Sequence, residues 1–211
     1  MNTKPICIYG TGGFARELLT LLTDLHQYDR VAGFVEPDAV FSEKYSPESR
    51  IMGKPVLPES AFDPDQQCMT VGVGSPAIRR KIVEALPAHT EYPSFIHPSA
   101  SVSRWVSIGP GAVVCAGCIL TAQIEIGRHC HLNLQTTIGH DCYIGDYFTT
   151  APGVHVSGDC RFGDQVYFGT GSATRQGIRI TSGVTIGMGA MVVKPIDTPG
   201  TYVGIPAKKI K

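Results

Sequence analysis

The stretch Ile126-Gly127-Arg128-His129-Cys130-His131-Leu132-Asn133-Leu134-Gln135-Thr136-Thr137-Ile138-Gly139-His140-Asp141-Cys142-Tyr143-Ile144-Gly145 carries an aliphatic residue at every sixth position, 126, 132, 138 and 144. Extended both ways, that phase runs from Ile96 to Val192 without a slip. Fifteen of its seventeen positions are aliphatic or aromatic, and the other two are Thr150 and Thr174. The residue after the apolar one is often glycine, as at Gly109, Gly127, Gly139, Gly145, Gly163, Gly169 and Gly187. A six-residue unit makes one short strand and one corner, and three units close a triangular coil. The apolar residue points inward and stacks on its counterpart one coil on, and the small residue is expected to let the chain turn. Coils stacked in this way pair as parallel strands, so the period predicts a parallel β-helix. A β-sandwich needs period-two alternation and hairpin turns, which this region lacks. Right-handed crossovers are the rule for parallel strands, so the period alone leaves the hand of the helix open.

Upstream the texture changes. Ile6 to Tyr9 reads as a strand, followed by Gly10-Thr11-Gly12-Gly13 and by Leu18, Leu21, Leu22 and Leu25 at helical spacing. Val31 to Val35 and Met69 to Val73 read as further strands, and Pro76 opens a helix through Leu86. This order predicts a small α/β, Rossmann-like domain over 1–92, followed by the β-helix over 93–211. The proline-rich stretch from Pro37 to Pro64 reads as an irregular connection.

Composition narrows the partners. Eighteen basic residues balance eighteen acidic ones, so bulk charge points to neither nucleic acid nor a membrane surface. Met1 to Ala15 lacks the apolar core of a signal peptide, and no run approaches the ~20 apolar residues of a membrane span. The expectation is a soluble, cytoplasmic protein. The seven cysteines, Cys7, Cys68, Cys115, Cys118, Cys130, Cys142 and Cys160, are odd in number and lie mostly in apolar stretches, which suits reduced, packed thiols. Cys115 and Cys118 have CxxC spacing, but no second pair accompanies them. His131, His140 and His155 are not separated by multiples of eighteen, so they form no column within one chain, although ligands from different chains remain open. The expectation is no metal. His129, His131 and His155 read as surface or interface groups, and His26 and His89 as solvated ones.

Gly10-Thr11-Gly12-Gly13-Phe14-Ala15 fits G-x-G-x-x-A at a strand-to-helix turn, with Glu36 downstream where a ribose-binding acid would sit. Such a turn cradles a phosphate on backbone N–H groups. A single mononucleotide half followed by a β-helix leaves no room for hydride-transfer machinery, so a nucleotide-sugar pyrophosphate is the better ligand.

The run Ile138-Gly139-His140-Asp141-Cys142-Tyr143-Ile144-Gly145-Asp146, the ending Gly204-Ile205-Pro206-Ala207-Lys208 and the N-terminal Tyr9–Ala15 motif together resemble one bacterial family of hexapeptide-repeat acyltransferases. That family contains the bacillosamine-pathway nucleotide-sugar N-acetyltransferase, perosamine N-acetyltransferase and sialic acid O-acetyltransferase. The resemblance implies a left-handed β-helix, a homotrimer, acetyl-CoA in the groove between neighbouring helices, and the nucleotide of a nucleotide-linked amino sugar held by the first domain. By the same resemblance His140 is the general base and Asp141 orients it. Asn133 falls where relatives contact the amino sugar, and the backbone N–H near Gly158 where they bind the acetyl carbonyl. Thr149 stands where some relatives carry a second histidine near the thioester, while Gly204, Ile205, Pro206 and Ala207 flank acetyl-CoA. Paired aspartates that meet uridine in relatives are replaced here by Glu36 and Asp38.

The chemistry suits these residue types. Acetyl transfer to an amine needs a base for the shed proton and donors for the oxyanion, and a free imidazole, titrating near 6.5, can take that proton. No nucleophilic side chain is required, which leaves Cys142 as a packed filler. The expected activity is N-acetylation of a nucleotide-linked amino sugar, specifically UDP-4-amino-4,6-dideoxy-N-acetylglucosamine. The alternatives are O-acetylation of sialic acid or another sugar, and a non-enzymatic trimeric scaffold with a nucleotide-binding domain.

Overall fold

The computed structural model describes residues 4–211. They divide into two units. One holds the described residues through Gly74 together with Ile78–Phe95, and the other holds Ser75–Ala77 and Ile96–Lys211.

In the first unit β1 (Ile6–Tyr9) is an internal strand of a five-stranded sheet, between β2 (Val31–Glu36) and β5 (Cys68–Val71), both parallel to it. β4 (Lys54–Pro58) extends the sheet parallel to β2, and β3 (Arg50–Ile51) closes the edge antiparallel. Both ladders flank β1, so all four of its residues are buried, as its unbroken apolar run requires. α1 (Gly13–Asp24) links β1 to β2 and buries Leu18, Leu19, Leu21 and Leu22 on one face. The remaining helices are α2 (Asp38–Lys44) and α3 (Pro76–Ala85). The stretch from Pro37 to Pro64, expected to be irregular, thus contains α2, β3 and β4. Of its prolines, Pro55 and Pro58 lie in β4, and Pro37, Pro47 and Pro64 lie outside the strands.

In the second unit the six-residue period becomes a left-handed parallel β-helix with three faces. Two of them hold six and five strands, and the third holds eight, including the chain's last two strands. Register is strict. Thr137–Ile138 pairs with Ile119–Leu120 on one side and His155–Val156 on the other, each eighteen residues away. In the core of the helix Phe148 stacks on Phe162 and Phe168 tilts against both, with centroids 5.4 to 5.7 Å apart. The two threonines that interrupt the column are satisfied. Thr150 Oγ1 accepts from the Asn133 N–H at 2.9 Å and pairs with Thr136 Oγ1 at 2.7 Å, and Thr174 Oγ1 accepts from the Ser157 N–H at 3.3 Å.

The corners correct one expectation. The glycine after each inward residue does not make the turn. Every sixth residue from Gly111 to Gly189 has a left-handed φ, between 53° and 74°, and this residue lies two positions later. Seven of these corner residues are glycine. The others are Gln123, His129, Gln135, Asp141, Tyr147, Asp159 and Gln165. The earlier glycines are required by close approach instead. A Cβ at Gly139 would lie 2.6 Å from the Gly158 nitrogen, and one at Gly169 would lie 2.6 Å from the Met188 nitrogen. Two histidines also differ from expectation, since His129 and His131 are buried rather than superficial. His129 stacks on Tyr147 one coil later, with centroids 5.2 Å apart. All seven cysteines are buried and none is in a disulfide.

Candidate active site

His140 and Asp141 sit at the corner that follows strand Thr137–Ile138. Asp141 is the left-handed corner residue, φ 58°, a conformation that aspartate tolerates better than most side chains. From there its Oδ2 reaches the Nδ1 of the preceding residue, His140, at 2.7 Å. An ionised carboxylate can only accept, so Nδ1 carries the proton and Nε2 of the neutral ring presents its lone pair. Both side chains are about half exposed, at 56% and 52%. The pair is therefore accessible.

The imidazole lies on the coil below it. A Cβ built on Gly158 would fall 2.7 Å from His140 Nε2, 2.8 Å from Cε1 and 3.0 Å from Cδ2. Gly158 therefore leaves the seat in which the ring rests. The Asp159 N–H donates to the His140 carbonyl at 2.7 Å and ties the two corners together. Thr174 holds the Ser157 N–H beside Gly158, so one of the two breaks in the apolar column underlies this seat. Cys142 points inward and lends no nucleophile. Its thiol is pushed up by its hydrogen bond with Cys160 and by burial.

The other residues expected at the site lie elsewhere on the coil. Asn133 belongs to the preceding corner. Its N–H donates to Thr150 Oγ1 and its Oδ1 accepts from the Leu134 N–H at 2.7 Å. Thr149 is buried in a strand of the eight-stranded face, and its Oγ1 donates to the Tyr147 carbonyl at 3.4 Å. Gly204, at φ 95°, precedes Ile205, Pro206 and Ala207, and the Ala207 N–H donates to the Met191 carbonyl at 2.9 Å. Pro206 and Ala207 line a pocket of about 350 Å³ with Lys194, Tyr202, Lys208 and Lys209. Lys208 belongs to the C-terminal motif quoted above, whereas nothing in the sequence singled out Lys194 or Lys209.

The first unit holds a second cleft, of about 470 Å³, at the carboxyl ends of β1, β2 and β5. Gly10, Gly12, Gly13 and Glu36 line it, together with Tyr9, Val73, Ile78 and Ile82. Gly10 is at φ 94°, and open space lies above Gly12 and Gly13. Glu36 Oε1 accepts from Thr11 Oγ1 at 2.6 Å, and Tyr45 backs that hydroxyl at 2.9 Å. Asp38 is diverted. Its Oδ1 accepts from Ser60 Oγ at 2.6 Å and it does not line the cleft, so the acidic wall rests on Glu36. Tyr9 hydrogen-bonds Glu59, and burial together with that bond pushes its phenol up.

Among the described residues no group of three or more His, Cys, Asp or Glu could hold a metal ion, and no helix is long and apolar enough to cross a membrane.

Comparison with known proteins then identifies the lineage. A family model described as the PglD N-terminal domain matches residues 5–86. The chain is 30% identical over 175 residues to GDP-perosamine N-acetyltransferase of Escherichia coli O157:H7, covering 81% of this chain and 78% of that one. The chain belongs to the hexapeptide-repeat nucleotide-amino-sugar N-acetyltransferases. Solved members of this family agree over nearly the full length. Perosamine N-acetyltransferase from Caulobacter crescentus, in complex with CoA and GDP-perosamine, is 26% identical with TM-score 0.87, covering 100% of this chain and 99% of that one. The acetyltransferase domain of PglB from Neisseria gonorrhoeae FA1090, in complex with acetyl coenzyme A, is 32% identical with TM-score 0.86, covering 99% and 100%. As a member of this N-acetyltransferase family the chain is an enzyme, with acetyl-CoA as co-substrate and a nucleotide-linked amino sugar as acceptor. The scaffold reading is set aside.

Proposed function

We propose that His140 is the general base of this transfer. The observation that carries the reading is the 2.7 Å contact of its Nδ1 with Asp141, which leaves Nε2 as the lone-pair atom over Gly158. The sugar amine attacks the thioester carbonyl carbon of acetyl-CoA directly. As the C–N bond forms, the nitrogen's proton passes to Nε2 and Asp141 stabilises the imidazolium. Collapse of the tetrahedral intermediate breaks the C–S bond, and the proton goes on to the departing thiolate. The backbone N–H of Gly158 is the oxyanion donor, since those of Ser157 and Asp159 are already engaged.

Asn133, on a different corner from His140, supports a homotrimer in which a neighbouring chain completes the site. Acetyl-CoA then runs past Thr149 toward Gly204-Ile205-Pro206-Ala207. The glycine turn with Glu36 takes the nucleotide. The acceptor is UDP-4-amino-4,6-dideoxy-N-acetylglucosamine, in cytoplasmic assembly of a bacillosamine-type surface glycan. A GDP-linked 4-amino sugar is the second reading, favoured by the 30% identity to GDP-perosamine N-acetyltransferase.

Release of CoA measured against a panel of UDP-, GDP- and CMP-linked amino sugars identifies the acceptor. His140→Ala is expected to keep the oligomer and lose most of its turnover. Near-wild-type turnover in that variant removes His140 as the base.

A further inference from the structure

The edge that bears His140 and Asp141 continues beyond them. Corner pairs eighteen residues apart stack along it as Arg104–Trp105, Ala122–Gln123, His140–Asp141, Gly158–Asp159 and Gln176–Gly177. Backbone bonds run from coil to coil along the column. The Asp141 N–H donates to the Ala122 carbonyl at 3.0 Å, the Asp159 N–H to the His140 carbonyl at 2.7 Å, and the Gly177 N–H to the Gly158 carbonyl at 3.0 Å.

The two directions from His140 differ in chemistry. Toward the C-terminal coils the edge offers Gly158 and Asp159 and then exposed Arg175 and Gln176, with no aromatic ring at the corner. Toward the N-terminal coils the floor is Ala122 and Gln123, and beyond them stands Trp105, the chain's single tryptophan, 61% exposed. The Arg104 guanidinium lies 4.7 Å from the centroid of its ring. A large exposed aromatic ring paired with a cation is a platform suited to a ligand with an apolar face and an anionic end.

We propose that Arg104 and Trp105 form the acceptor subsite. The indole packs against the anomeric end of the amino sugar, and the guanidinium takes the phosphate on its anomeric oxygen. Two coils place Trp105 roughly 10 Å from the His140 level, at ~4.8 Å per coil. An amine on C4 and the anomeric oxygen lie about 6 Å apart across a pyranose ring, and the phosphate follows one bond further. An amine at Nε2 therefore brings the ring over Ala122 and the phosphate within reach of Arg104. The sugar extends toward the N-terminal coils, which leaves the C-terminal direction to the acyl donor. This assignment rests on His140 as the point of transfer.

The lone tryptophan reports on its own site. Titrating the intact enzyme with the nucleotide-linked 4-amino sugar it turns over is expected to change Trp105 fluorescence saturably, with acetyl-CoA alone giving no such change. The response persists in His140→Ala. Trp105→Ala is expected to raise KM for the sugar nucleotide roughly tenfold, with kcat and KM for acetyl-CoA within about twofold, and Trp105→Phe to recover most of the loss. Arg104→Gln raises the same KM and flattens its dependence on salt, and Arg104→Lys recovers part of it. An unchanged sugar KM in Trp105→Ala overturns the subsite. So does fluorescence that ignores the sugar or answers acetyl-CoA equally, or a change in oligomeric state, which would make Trp105 a chain–chain contact. Retained turnover in His140→Ala would instead remove the base, a separate result.

Discussion

Gly158→Ala isolates the contribution of the imidazole's seat. The added methyl would lie 2.7 Å from His140 Nε2 and 2.8 Å from Cε1, against the ~3.5 Å at which such atoms normally meet. The ring must therefore retreat by roughly 0.7 Å, and the Asp141 tether at 2.7 Å prevents it from doing so without tilting. Displacements near 1 Å at a reacting group cost about a hundredfold in rate. The expected loss in kcat is ten- to a hundredfold, or about 1.4 to 2.8 kcal/mol of transition-state stabilisation. Stability changes little, because Gly158 is not in the left-handed region and the three nearest atoms to the new methyl all belong to the His140 ring. The assay is steady-state CoA release with thermal denaturation as the control, on Gly158→Ala, His140→Ala and the double variant. If the methyl acts through the imidazole, it costs nothing further once the imidazole is gone. Wild-type turnover in Gly158→Ala, or an equal fractional loss in the His140→Ala background, refutes the reasoning.

Asp141 separates chemistry from backbone strain. Asp141→Asn, which tolerates the left-handed corner, is expected to lose about ten- to a hundredfold in kcat at unchanged Tm. Asp141→Ala should lose activity similarly and also stability, by about 1 kcal/mol, seen in urea denaturation. Equal stability in the two variants would mean that the corner exerts no strain. Phe162→Ala, between Phe148 and Phe168, is expected to destabilise the β-helix by about 3 to 5 kcal/mol in the same assay. Burial, with Cys68 nearby, pushes the Cys7 thiol up to about 12 from its ordinary 9.0. The folded chain therefore holds this proton where the unfolded chain releases it, so the stability it contributes is whole below pH 9 and drains as pH rises toward 12. Tm measured across that window should fall less steeply in Cys7→Ala, and an identical decline would exclude the thiol.

Much of this was open to a reader of the sequence. The inward column is legible because coil closure buries the same position of every six-residue unit from Val114 to Val192, and composition records that demand at every turn. His140 and Asp141 are legible as a pair because adjacent residues at one corner cannot be separated by folding. Gly10, Gly12, Gly13 and Glu36 do meet in one cleft, since β1 and β2 are neighbours in a parallel sheet and their carboxyl ends open on the same side. Asp38 stands outside the cleft lining because Ser60, twenty-two residues away, holds its carboxylate, and no local pattern announces that bond. The burial of His129 and His131 was equally invisible.

By itself the sequence determined the β-helix and its coil spacing, and the identity of the His140–Asp141 pair. The tertiary structure alone decided which corner residue turns left-handed. That choice is imposed by coil closure and filled as often by other residues as by glycine. It also decided that Gly158, eighteen residues from His140, lies beneath the imidazole, because only stacking brings two such positions within van der Waals reach.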